Sequence, residues 1–119
     1  MINKENKYFG TVLNVIDGDT FEVLIELGFG VTQKFHVRLD GIDTPEKNTE
    51  KGKRAKEYVK HLIEGKTVML RDAGAEKFGR ARASIETMEG KDLTELLIEN
   101  KIGKEYHGGK KEPFTLSMI

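Results

Sequence analysis

The chain has 119 residues, enough for one domain with a single modest core, and 34% of them are charged against 37% hydrophobic. Lysine plus arginine number 20 and aspartate plus glutamate 20, and the resulting formal net charge of zero argues against a generic polycation that coats nucleic acid. There is no cysteine, so disulfides and thiolate metal sites are excluded, and no apolar run reaches membrane-spanning length.

In chain order, the polar opening MINKENKYF lacks the apolar segment of a secretory signal, which leads us to expect a cytoplasmic protein with no membrane partner. YFGTVLNVI (8–16) is apolar and β-branched and ends in the turn Asp17-Gly18-Asp19. Phe21, Val23 and Ile25 then alternate with Glu22, Leu24 and Glu26, the period of a strand, up to a second turn at Gly28 and Gly30. Gln33 to Asp40 forms a third strand, with Phe35, Val37 and Leu39 on one face, so the first 40 residues read as a three-stranded meander.

The period then changes. From Glu50 to Glu64, Ala55, Tyr58, Val59, Leu62 and Ile63 recur at three and four residues, an amphipathic helix stopped by Gly65. Thr67 to Arg71 and Ala81 to Thr87 are a fourth and fifth strand, joined by the charged loop DAGAEKFGR. Asp92 followed three residues later by Glu95 has the form of a capping box, opening a second helix with Leu93, Leu96 and Leu97 on its apolar side. The tail YHGGKKEPFTLSMI has no clear period. The expectation is a mainly β (α+β) domain over 1–119, core about 8–107 and tail 108–119. A five-stranded OB-fold barrel with two packed helices hides its edges best, and a small open α+β sheet is the alternative.

The charges are unevenly placed. Residues 1–46 carry 4 basic and 8 acidic groups, 47–82 carry 11 and 5, and 83–119 carry 5 and 7. Solvated loops and helix faces give such blocks, and so does a site holding a cation on one side and an anionic substrate on the other. Asp17, Gly18 and Asp19 suit an ordinary tight turn, and so do Asp43-Thr44-Pro45-Glu46. However, Asp19 and Asp43 each follow a strand, so in a meander their carboxylates can converge. Two carboxylates, a backbone carbonyl and waters make a hard-oxygen site suited to Ca²⁺ or Mg²⁺ and poor for zinc. Glu46, three residues on, is placed to take a proton from an attacking water. Arg38 and Arg80 are planar, permanently charged forks matching phosphate oxygens. Together these residues form a set for phosphodiester hydrolysis. His36, His61 and His107 read as outward or tail residues without a catalytic part, whereas Phe78 and Tyr106 are aromatics able to stack on bases, core packing being an equal alternative for Phe78.

IDGDT (16–20), VRLDGIDTPE (37–46), KFGRA (77–81) and LLIENKIGKEY (96–106) resemble, in order and spacing, the staphylococcal nuclease (thermonuclease) family, over residues 8–107. The resemblance implies the same barrel and a Ca²⁺-dependent endonuclease acting on single-stranded or loosened DNA and RNA. It further implies one Ca²⁺ (Mg²⁺ being the less favoured ion) held by Asp19, Asp43 and the Thr44 carbonyl, with Glu46 as general base and Arg38 and Arg80 clamping phosphate. Tyr106 would help hold the nucleotide, with Lys77 and Arg82 as further substrate-binding cations; Arg82 alternatively pairs with Glu86 or a neighbouring carboxylate. Lys101 stands where the family commonly ends the late helix with glycine, so Asn100 is expected to supply any left-handed cap. The rival reading is an OB-fold nucleic-acid-binding module without chemistry, and the expected assembly is a monomer unless the tail mediates association.

Overall fold

The computed structural model describes residues 6–77 and 79–105. The chain runs β1 (Lys7–Asp17), β2 (Thr20–Gly28), β3 (Val31–Leu39), β4 (Ile42–Asp43), α1 (Glu50–Ile63), β5 (Thr67–Lys77), β6 (Arg80–Thr87), α2 (Leu93–Glu99) and β7 (Lys104–Glu105). Period-two alternation decides the first strands: Phe21, Val23 and Ile25 are buried while Glu22, Leu24 and Glu26 lie on the opposite face. β1, β2 and β3 form the antiparallel meander. β3 then pairs parallel with β6, β6 antiparallel with β5, and β5 antiparallel with β1. The five strands therefore close on themselves, the OB-type barrel, rather than forming an open sheet. Its interior is filled by fully buried side chains including Val12, Phe21, Val23, Val37, Leu70 and Ile85.

The helices cover what closure leaves. α1 begins at the N-cap Thr49, whose hydroxyl accepts the Gly52 N–H, and buries Ala55, Val59 and Ile63, a stripe spaced by four residues. α2 is capped by Asp92, which accepts the Glu95 N–H, and buries Leu93 and Leu97. At its end the chain departs from expectation. Asn100 has φ −92° and is not left-handed; Lys101, at φ 58°, is. The Lys101 N–H reaches the Ile98 carbonyl and the Ile102 N–H the Leu97 carbonyl, the paired bonds of a Schellman cap with lysine in the position glycine favours. Asn100 instead donates its side-chain amide to the Leu96 carbonyl at 2.7 Å.

A second departure is β5. The segment read as a charged loop continues as strand to Lys77, with irregular register between Asp72 and Gly74 and between Ala75 and Lys77. Those bulges let one strand bend around the barrel wall, so glycine and charge mark curvature there rather than an exit from the sheet. β4 and β7 form a separate two-stranded pairing, Ile42 with Glu105 and Asp43 with Lys104, too short to leave a period in the sequence. Among the described residues no helix is long and apolar enough to cross a membrane.

Candidate active site

The turn between β1 and β2 carries Asp19 and is fastened to the end of β3. The Asp19 carbonyl accepts the Leu39 N–H at 2.8 Å, and the Asp19 N–H donates to the Asp17 carboxylate at 3.1 Å. This places Asp19 beside Arg38, which faces outward because its neighbours Val37 and Leu39 face the core. Gly18 makes the approach feasible, since a Cβ there would lie 2.9 Å from the Thr44 hydroxyl and 3.0 Å from Ala55 Cβ.

After β3 the chain turns the corner that holds Asp43 and Thr44. The Asp40 N–H donates to the Ala83 carbonyl, and the Thr94 hydroxyl donates to the Asp40 carbonyl at 3.0 Å, so β6 and α2 fix the corner from two sides. Asp40 thus contributes its main chain. β4 then buries Ile42 and Asp43.

These elements bring four of the anticipated residues, Asp19, Arg38, Asp43 and Thr44, into one cluster. Arg38 Nη2 lies 3.4 Å from Asp43 Oδ1 and 3.8 Å from Asp19 Oδ2, and also reaches the Ile42 carbonyl at 3.4 Å. The Thr44 N–H donates to Asp19 Oδ2 at 3.2 Å, and the Thr20 hydroxyl to Asp19 Oδ1 at 3.1 Å. Asp19, Asp43 and Thr44 are the buried polar residues of the described chain, 7%, 3% and 6% exposed. Burial, then the hydrogen-bonded and like-charged Asp17 carboxyl, raise the Asp19 pKa from 3.8 to about 6, against the opposing pull of Arg38 and the Thr44 N–H. Two buried carboxylates facing one guanidinium leave a surplus negative charge among oxygen donors. That donor set fits a hard divalent cation completed by water, with Asp19, Asp43 and the Thr44 carbonyl as the groups to hold it. Among the described residues no cluster of three or more His, Asp or Glu side chains suits a metal.

Glu46 and Arg80 are exposed at the rim. The Glu46 main chain is built into the start of α1: its carbonyl accepts the Thr49 hydroxyl at 2.7 Å and the Thr49 N–H at 3.1 Å. Gly52 lets the helix lie directly on that carbonyl, which any side chain at 52 would overlap. A glycine inside a helix ordinarily signals only lost stability, so its positioning of Glu46 was not visible in the sequence. Thr49 and Thr20 were likewise missed; the spacing of Thr49 before the apolar stripe was the available signal for a cap.

The parallel pairing of β3 with β6 sets Arg82 opposite Arg38 and Arg80 opposite His36. Arg80 is therefore one pleat, about 7 Å, from the position level with Arg38. Arg82 is exposed and donates to the Ala73 carbonyl at 2.9 Å, leaning towards the β5 bulge. His36 is outward as expected, with Nε2 3.4 Å from Glu22. Tyr106, Phe78 and the tail 108–119 lie outside the described residues, as does the Lys77 side chain, whose main chain pairs with Arg80 at the end of β5.

Comparison with known proteins places this geometry. A family model described as staphylococcal nuclease homologue matches residues 36–113. An uncharacterized endonuclease of Escherichia coli is 29% identical over 89 residues, covering 75% of this chain and 55% of that protein. Protein ParB of Escherichia coli is 32% identical over 76 residues, 64% of this chain and 40% of its own length. A micrococcal nuclease of Shigella flexneri is 32% identical over 71 residues, 60% of this chain and 38% of that protein. The chain thus spans about half the length, or less, of these relatives.

Proposed function

This chain belongs to the family of staphylococcal nuclease homologues, and we propose that it is a metal-dependent nuclease hydrolysing phosphodiester bonds in single-stranded or loosened DNA and RNA. The observation that carries the reading is the convergence of buried Asp19 and Asp43 on Arg38 Nη2, at 3.8 and 3.4 Å, with exposed Arg80 and Arg82 on the strand paired beside it. Burying two carboxylates costs stability that packing alone does not repay, so their retention beside Arg38 points to a task.

Asp19, Asp43 and the Thr44 carbonyl hold the metal, Ca²⁺ being favoured by the all-oxygen, water-completed donor set. When bound, the ion supplies Lewis-acid stabilisation of charge on the phosphate. The chain's own residues do the rest. Arg38 orients the scissile phosphate and offsets the charge that develops on its oxygens. Arg80 does the same from the neighbouring strand, because two guanidiniums on adjacent strands can grip a phosphate that one cannot fix. Glu46, exposed and held by its backbone to the N-terminus of α1, accepts a proton from the attacking water. Tyr106, Lys77 and Arg82 are the further residues assigned to substrate binding.

The test is digestion of single-stranded DNA with Ca²⁺ and with a chelator. Cleavage that requires the ion supports the proposal. Equal cleavage in both overturns metal dependence, and binding without cleavage in either assigns the chain to the class of silent binding modules.

A further inference from the structure

The β2–β3 hairpin carries a residue that neither the barrel nor the acidic cluster uses. Phe29 at its tip is fully exposed. It is also left-handed at φ 55°, between Gly28 and Gly30 at φ 100° and 75°. A bulky side chain is strained in that conformation, which glycine or asparagine adopts readily. A large apolar ring held in water at the expense of local strain points to contact with something outside the fold.

The strand that leaves this tip ends at the candidate active site. β3 turns Thr32, Lys34, His36 and Arg38 outward, because Val37 and Leu39 face the core. On one side, β6 sets exposed Arg80 opposite His36 and exposed Arg82 opposite Arg38. On the other, β2 sets Glu22 opposite His36 and Glu26 opposite Thr32. The outward surface is thus cationic along β3 and β6 and acidic along β2, which confines a polyanion to the β3–β6 side. Lys34 Nζ lies 3.7 Å from Glu22 with its side chain 59% exposed, a pair weak enough to be exchanged for a phosphate. The β3–β6 pairing begins at His36, whose N–H donates to the Gly79 carbonyl. Thr32 and Lys34 direct their N–H groups to that same side beyond the described pairing, where phosphate oxygens can accept them.

On the assignment of Arg38 to phosphate made above, we infer that single-stranded nucleic acid leaving that site runs along β3 to the hairpin tip, with a phosphate on Lys34 and a base stacked on Phe29. Val31 to Arg38 is about 23 Å of strand, and the tip lengthens the track to about 25–30 Å. That length falls within the span of about 4–16 nucleotides that one OB fold engages. Stacking accepts any base, so the grip gains length without sequence preference. It also selects unpaired strands, since a base inside a duplex has no free face to offer Phe29.

The chain has no tryptophan, so Phe29→Trp places a single fluorophore at the tip of the full chain. In a chelating buffer, a saturating oligothymidylate of about 16 nucleotides should quench that emission. One of about 4, too short to reach the tip from Arg38, should leave it unchanged. Anisotropy of labelled strands gives the second readout. The preference of the wild type for the longer strand should shrink at least about fivefold in Phe29→Ala, with unchanged thermal unfolding. Lys34→Gln should lower the slope of log affinity against log salt by about 0.7. Binding without quenching, a length preference unmoved by Phe29→Ala, or no binding at all overturns the inference. A blue shift on phosphatidylserine vesicles without quenching by the oligonucleotide assigns the tip to a membrane and overturns it too. A wild type that binds in this way yet cuts nothing with Ca²⁺ overturns the nuclease reading alone and leaves the track standing.

Discussion

Asp19→Asn tests whether the buried carboxylate is kept at a cost to the fold. In the wild type, burial and the neighbouring Asp17 raise its pKa from 3.8 to about 6. Below pH 3.8 the carboxyl is protonated whether the chain is folded or not, and it imposes no penalty. Between 3.8 and about 6 the folded state holds its proton more tightly, so stability falls as pH rises. Above that window the full penalty applies, about 3 kcal/mol for a shift of this size. Asparagine removes the charge and keeps an oxygen for the Thr44 N–H, whose preference for the charged acceptor is already contained in the shift. Net stabilisation at pH 7 is therefore about 3 kcal/mol, a rise in Tm of roughly 9–15 °C for a chain of this size. Calorimetry or urea denaturation in a chelating buffer from pH 3.5 to 7.5 measures it. The difference between variant and wild type should grow from near zero below pH 4 and level off above pH 6.5. A variant less stable than wild type at pH 7, or a difference independent of pH, would refute the reasoning. Cleavage should be lost in the same variant, which separates the residue's cost to the fold from its part in the chemistry.

Two further substitutions probe positions where the backbone carries the argument. Lys101→Gly relieves the left-handed C-cap of α2 and should stabilise by about 0.5–1 kcal/mol after the larger entropy of the unfolded glycine chain is counted, whereas Lys101→Val should destabilise; thermal unfolding of both reads the opposite signs. Gly52→Ala forces α1 away from the Glu46 carbonyl and should cost about 1–3 kcal/mol while slowing cleavage by more than about tenfold, since displacement of a catalytic group on the order of 1 Å is expensive; unchanged rate with Ca²⁺ present would separate Glu46 from the helix that carries it.

The parts of this molecule legible in the sequence are those written in a local period or a local turn. Phe21, Val23 and Ile25 gave β2, the stripe through Ala55, Val59 and Ile63 gave α1, and Asp92 with Glu95 gave the cap of α2. Convergence of Asp19 and Asp43 was inferable because a meander returns each strand end to its neighbour. What could not be read are features fixed by closure. Glycine and charge in DAGAEKFGR have the composition of a loop, yet pairing with β6 draws residues 72–77 into a bulged continuation of the strand that β1 holds at 67–71. The parallel register that sets Arg82, rather than Arg80, level with Arg38 follows from the barrel and from no local pattern. Lys101 in a left-handed cap shows tertiary demand, the seating of Ile102 near Leu97, prevailing over residue preference.

The most direct test of the account compares wild type with Glu46→Gln for cleavage of an end-labelled single-stranded oligonucleotide with saturating Ca²⁺. Glu46 is exposed, and glutamine preserves its size, so both proteins should unfold at the same temperature. Wild type should cleave, and the variant should be slower by a factor of about 10²–10⁴, the usual worth of a positioned general base. Equal rates for the two, or no cleavage by the wild type, would contradict the account.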